Sequence, residues 1–190
     1  MSAGDDPLAD ETLSSELAWK GEFLTIYRDR VRSPDGHVGV REYIKHPGAV
    51  LVVPLAADDQ VVLERQYRYP LRRSFIEFPA GKLDPGEPPR RCAERELLEE
   101  TGFKAARWDH LGQFHNAVGY TDETIDVFLA RDLVHVGTAG EAGEVLQVFT
   151  WPRTELLARV RKGEITDGKT LIACAWLERF LDDEAHPQAT

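Results

Sequence analysis

Seven consecutive residues, Ala49 to Leu55 (AVLVVPL), are apolar and rich in valine. A run this short and β-branched reads as a strand, and with no polar residue alternating through it the strand is predicted to be buried on both faces. Asp58 and Asp59 then turn the chain into a further strand at Gln60 to Tyr67, and a short strand follows at Phe75 to Phe78. Later strands are expected at Arg107 to Gln113, Thr124 to Ala130 and Val145 to Trp151. Pro88 and Pro89 suit the first turn of a helix whose left-handed cap is Gly102, with Phe103 as the apolar residue beyond it. Two helices are expected to close the chain: Thr154 to Lys162, ended by Gly163, and Asp167 to Leu181, with Thr166 as N-cap. Strands mixed with a few helices place the fold in the α/β class, as a sandwich.

Before this core, Phe23 to Tyr43 alternates imperfectly around Ser33-Pro34-Asp35-Gly36, the pattern of a hairpin turning at Pro34 to Gly36. Residues 1–15 are expected to be a disordered leader, 16–46 the hairpin region and 47–185 the main domain. The 190-residue chain is 42% hydrophobic and 29% charged, an ordinary globular balance. No apolar run approaches the roughly 20 residues that span a bilayer. The polar, acidic Met1 to Glu11 lacks a secretory pattern, so a cytoplasmic enzyme is expected. Cys92 and Cys174 fall in helical stretches and read as packing residues. The net charge of -10 argues against long nucleic acid as partner. A small phosphate-bearing substrate stays compatible, because divalent cations can sit between protein carboxylates and phosphates.

The segment Gly81 to Phe103 reads GKLDPGEPPRRCAERELLEETGF. On a helix, Glu96, Glu99 and Glu100 fall within about a 100° arc. Like charges so placed repel by roughly 0.2–0.5 kcal/mol per pair even when exposed. A divalent cation would neutralise them, and Mg²⁺ prefers hard carboxylate oxygens. Arg95 lies one turn before Glu99, and Glu87 lies in the preceding loop, so a Glu87–Arg95 pair is expected to lock loop to helix. Taken alone, the glutamates equally describe a solvated acidic helix face. They are not alone. Gly81, Glu87, Arg95, Glu96, Glu99, Glu100 and Gly102, with apolar Leu97 and Phe103, fit G-x5-E-x7-R-E-U-x-E-E-x-G-U, where U is apolar. Average residue frequencies give this by chance well under about 10⁻⁸ times per starting position.

The segment resembles the Nudix box, whose family hydrolyses nucleoside diphosphates linked to another moiety. The runs HPGAVLVVPL, LERQYRYP and FIEFPAGKLDPGE extend the resemblance to the ADP-ribose pyrophosphatase branch, over about Arg41 to Trp151. It implies an α/β/α sandwich with a mixed central sheet and an N-terminal antiparallel sheet. The resemblance makes Glu96 and Glu100 the main metal ligands, with Glu99 assisting and Ala80 offering its carbonyl. The metal would be Mg²⁺, with Mn²⁺ as a substitute. A glutamate on the glycine-rich stretch GEAGEVLQVFTW, Glu144 first and Glu141 second, or Glu99, would take the proton of the attacking water. Gly81, Glu87, Arg95 and Gly102 would support the site. Arg68 and Arg41 are candidates for phosphate or the terminal ribose, and Glu77 for substrate hydroxyls or base.

The branch commonly carries a proline about sixteen residues past the box, where this chain has Val118 in NAVGYTDE. Tyr120 in the same loop is a candidate to stack on substrate. The predicted reaction is Mg²⁺-dependent cleavage of a nucleoside diphosphate sugar, with ADP-ribose giving AMP and ribose 5-phosphate. Other nucleotide sugars, dinucleoside polyphosphates and nucleoside triphosphates are the alternatives, and a non-catalytic nucleotide sensor comes last. In this branch the N-terminal sheet exchanges between subunits. Trp19, Phe23, Leu24 and Tyr27 give the hairpin apolar surface in keeping with that, so a homodimer is expected.

Overall fold

Three antiparallel strands begin the chain: β1 (Glu11–Lys20), β2 (Thr25–Arg32) and β3 (Val38–Ile44), in the order β1-β2-β3. This is a computed structural model describing residues 6–137 and 145–186. The backbone divides into two units, Met1–Pro47 with His115–Thr124 and Gly48–Phe114 with Ile125–Thr190. In the first, the expected turn joins β2 to β3. Gly36 takes φ 87°, which its missing Cβ permits, and its N–H donates to the Ser33 carbonyl at 2.8 Å.

Regular structure starts earlier than expected. Glu11 to Ser15, read as part of a leader, lie in β1, held by cross-strand polar contacts. Arg32 reaches Glu11 at 2.6 Å, and Arg41 reaches the preceding Asp10 at 2.7 Å. Every residue of β1 is exposed, so burial gave the strand no clear alternation to read. The 115–124 segment joins this unit through an Ile44–Thr121 bridge, with the Ile44 N–H donating to the Tyr120 carbonyl at 2.8 Å.

The second unit carries β4 (Ala49–Ala56), β5 (Gln60–Arg68), β6 (Arg73–Glu77), β7 (Ala80–Lys82), α1 (Pro89–Thr101), β8 (Phe103–His115), β9 (Thr124–His135), β10 (Leu146–Pro152), α2 (Arg153–Arg161) and α3 (Gly168–Ala185). Its sheet runs β10-β5-β4-β9-β8, with β6 on β5 and β7 on β4. β4 is parallel to β9 and antiparallel to β5 and β7, so the sheet is mixed. Val50 to Val53 are fully buried and alternate between two cores. Val50 and Val52 pack with Cys92, Ala93 and Leu97 of α1. Leu51 and Val53 pack with Leu156 of α2 and Ala173, Cys174 and Leu177 of α3. A strand without polar alternation is thus covered by helices on both sides, an α/β/α sandwich.

Two details differ from expectation. The N-cap of α3 is Asp167, not Thr166: its carboxylate accepts from the Thr170 N–H at 2.9 Å, whereas the Thr166 hydroxyl accepts from Arg73 at 3.1 Å. The strand expected at Phe75 to Phe78 runs instead from Arg73 to Glu77, and Ala80 to Lys82 pair separately with β4. No described helix is long and apolar enough to cross a membrane.

Candidate active site

α1 begins where its prolines permit, with Pro88 at the N-cap and Pro89 in the first turn. It ends at Gly102, whose φ of 74° directs its N–H to the Leu98 carbonyl at 2.9 Å. Between these ends its inward face is Cys92, Ala93, Glu96, Leu97, Glu100 and Thr101. Two glutamates therefore stand on a face otherwise made of core residues, and both are buried. A buried carboxylate costs several kcal/mol, on the order of the penalty for any buried ion, unless donors compensate it.

The strand preceding the helix helps to meet that need. The Ala80 N–H donates to Glu100 Oε2 at 2.9 Å. Gly81 is the point of closest approach: a Cβ there would lie 1.8 Å from Glu96 Oε1 and 1.9 Å from its carboxyl carbon. The glycine is required for space, since only a residue without a side chain lets the Glu96 carboxylate lie against β7.

Arg95 gathers the remaining charges. Its Nη1 donates to Glu96 Oε1 at 2.8 Å and to Glu99 Oε2 at 3.0 Å. Its Nε and Nη2 grip Glu87 at 3.1 and 2.9 Å, and Nη2 also reaches the Lys82 carbonyl at 3.2 Å. The expected loop-to-helix lock is present. Hydrogen bonding to Arg95 holds the Glu87 carboxyl down at about 2, and the same bonds raise the Arg95 guanidinium. Glu87 also accepts from the Asp84 N–H at 3.1 Å, which closes the loop.

Glu87, Glu96 and Glu99 thus converge on one guanidinium, and Glu100 stands one turn beyond Glu96 on the same face. Among the described residues no three acidic, imidazole or thiol groups are arranged to hold a metal ion, and Arg95 Nη1 is bonded to both Glu96 and Glu99. The donor chemistry nevertheless suits a hard divalent cation: carboxylate oxygens concentrated on one helix, two of them desolvated.

A second cluster lies just upstream. Arg68 grips Glu77 through two parallel bonds, Nε to Oε1 at 2.9 Å and Nη2 to Oε2 at 2.6 Å. Glu77 is 1% exposed. Lys169 and Asp167, which the sequence reading did not single out, complete it: Lys169 Nζ lies 3.1 Å from Glu77 Oε2 and 2.7 Å from Asp167 Oδ1. No spacing rule ties residue 169 to residue 77; a Lys just after an N-cap was the only local signal. Arg41 and Tyr120 belong to the other unit. Arg41 pairs with Asp10, and Tyr120 is exposed. Glu141 and Glu144 lie outside the described residues.

The NUDIX domain family matches residues 45–174, and the nucleoside diphosphate sugar hydrolase N-terminal domain matches residues 11–44. The chain is 35% identical over 173 residues to the ADP-ribose pyrophosphatase of Bacillus subtilis (strain 168), covering 90% of this chain and 94% of that protein. It is 39% identical over 160 residues to the ADP-ribose pyrophosphatase of Mycobacterium tuberculosis (strain ATCC 25618 / H37Rv), covering 83% and 77%. The crystal structure of an ADP compounds hydrolase superposes with a TM-score of 0.84 at 24% identity, covering 92% of this chain and 95% of that one, which establishes the shared fold.

In Gly81→Ala only the flexible end of Glu96 must move, so melting falls by less than about 5 °C. Divalent-cation affinity, by calorimetry, drops roughly 10–100-fold; an unchanged affinity would contradict the role given to Glu96. Glu87→Gln lowers the melting temperature by about 2–4 °C at neutral pH. Because the folded-state pKa is depressed, that contribution is present above the ordinary 4.5 and is lost as pH falls towards about 2. The gap between the two proteins should close over that window, and a constant gap would count against the pairing.

Proposed function

Because this chain belongs to the Nudix hydrolase family, we propose that it cleaves the pyrophosphate bond of a nucleoside diphosphate sugar, ADP-ribose foremost, to AMP and ribose 5-phosphate. The observation that carries the reading is the set of carboxylates on α1, seated against Gly81 and bound through Arg95. The substrate class is favoured by the N-terminal match over residues 11–44 and by the names of the relatives.

Glu96, Glu99 and Glu100, with the Ala80 carbonyl, are assigned to hold Mg²⁺, for which Mn²⁺ can substitute. When bound, the cation would neutralise negative charge on the pyrophosphate oxygens and would make the attacking water more acidic. The chain's own groups do the rest. Glu99, Glu144 or Glu141 takes the proton of the attacking water. Arg68, steadied by Glu77, presents N–H groups to a phosphate oxygen. Attack in line at phosphorus expels the other phosphate, and no covalent enzyme intermediate is needed. Arg41, through its guanidinium, and Tyr120, through a ring able to stack, are also assigned to substrate.

Leu17, Trp19 and Phe23, half-exposed or more in the N-terminal unit, favour a homodimer through that sheet. Two free, buried cysteines suit a reducing compartment, and we place the enzyme in the cytoplasm.

The purified protein with Mg²⁺, offered ADP-ribose, GDP-mannose, UDP-glucose, NADH, diadenosine polyphosphates and dGTP, should turn over ADP-ribose best. Activity on triphosphates but not on diphosphate sugars would sink the proposal. Glu100→Gln should abolish metal-dependent turnover with the fold intact; an unchanged rate would refute its assignment. Sedimentation at micromolar concentration should give a dimer, and a monomer there would remove the N-terminal sheet from that role.

A further inference from the structure

We propose that Lys169 is a positioning residue for substrate binding, fixing the Glu77 carboxylate and, through it, the Arg68 guanidinium; this rests on the reading of Arg68 as a phosphate ligand. The first turn of α3 holds the end of β6 and its continuation at two points. Thr170, fully buried, accepts the Phe78 N–H on its hydroxyl at 3.3 Å. One residue earlier, Lys169 Nζ bonds Glu77 Oε2 at 3.1 Å. The ammonium cannot swing away freely, because Asp167 Oδ1 holds it at 2.7 Å. Asp167 is fixed in turn as the helix cap, its other oxygen accepting from the Thr170 N–H at 2.9 Å and the Thr170 hydroxyl at 2.8 Å. Burial disfavours the charge on Asp167, yet the ammonium and these donors outweigh it and keep the carboxyl below its usual range.

The consequence falls on Arg68. Its Nε and Nη2 are both engaged by Glu77, so the direction of the remaining Nη1 edge is set by where the Glu77 carboxylate points. Oε2 of Glu77 is shared between Arg68 at 2.6 Å and Lys169 at 3.1 Å. Lys169 therefore does two things at once: it orients the carboxylate, and it takes up part of a charge that would otherwise be held wholly by Arg68. A guanidinium less fully satisfied by its own protein is a better partner for a phosphate oxygen. Beside these groups lies a cavity of about 230 Å³ lined by Arg68, Leu71, Phe75, Glu77, Asp167 and Lys169, among others. Lys169 is placed to act through Arg68 in that cavity.

The test is steady-state kinetics with Mg²⁺ and ADP-ribose on four proteins: Lys169→Met, Lys169→Arg, Arg68→Ala and the double variant Lys169→Met/Arg68→Ala. Lys169→Met should raise KM about tenfold with kcat changed far less, since uniform binding is what is lost. Lys169→Arg, which keeps the charge and the donor, should recover most of it. In the Arg68→Ala background Lys169→Met should add nothing further. If Lys169→Met melts well below the parent, Lys169→Gln replaces it in the same cycle. An unchanged KM in Lys169→Met, or losses that multiply in the double variant, overturns the inference while leaving Arg68 as a substrate ligand. An unchanged KM in Arg68→Ala overturns that reading of Arg68 and the role of Lys169 with it.

Discussion

Burying carboxylates is expensive, and this fold does it on the inward face of its one box helix. Glu96 and Glu100 stand in line with Cys92 on α1, where a helix of this amphipathic kind ordinarily places apolar side chains. Much of the local architecture answers that cost. β7 comes close enough for the Ala80 N–H to bond Glu100 and, at Gly81, presents bare backbone to Glu96. The loop from Asp84 to Glu87 folds back so that Glu87 can anchor Arg95, which then serves Glu96 and Glu99. Glycine, loop and arginine are parts of one electrostatic solution, which explains why their spacing is so restrictive.

The features legible in the sequence were those whose cause is local or periodic. β4 was readable because uninterrupted burial leaves an uninterrupted apolar run. The end of α1 was readable because a left-handed cap calls for Gly102. The box was readable because its charges only make sense together. β1 was hidden because a fully exposed strand carries little hydrophobic alternation, and its register rests on ion pairs such as Arg32–Glu11. The cap of α3 was misplaced by one residue because Thr166 and Asp167 are both good caps, and the choice was settled by Arg73 engaging Thr166. Lys169 was invisible for a different reason: its partner Glu77 is 92 residues away.

The stretch from Glu77 to Lys82 is where these constraints meet. At its start Glu77 is held by Arg68 from β5 and Lys169 from α3. A few residues on, Ala80 and Gly81 receive the carboxylates of α1. Six residues therefore connect the proposed phosphate-binding group to the proposed metal ligands through backbone fixed on both sides, by β4 pairing and by the Thr170 hydroxyl. Backbone held in this way on both sides keeps the two groups in a fixed relation, which suits the proposed in-line attack, where water and leaving phosphate must stay collinear.

The same burial that crowds Glu96 against β7 also encloses a thiol. Cys92 lies fully buried, its Sγ 3.3 Å from the Lys82 carbonyl, and burial pushes it up to about 12; Cys174, on α3, is likewise raised to about 12. Burial thus favours the protonated form of both groups, and the thiolate is the form that oxidants and alkylating agents attack. Both cysteines therefore serve as packing groups shielded from electrophiles, one on α1 beside Glu96 and the other on α3.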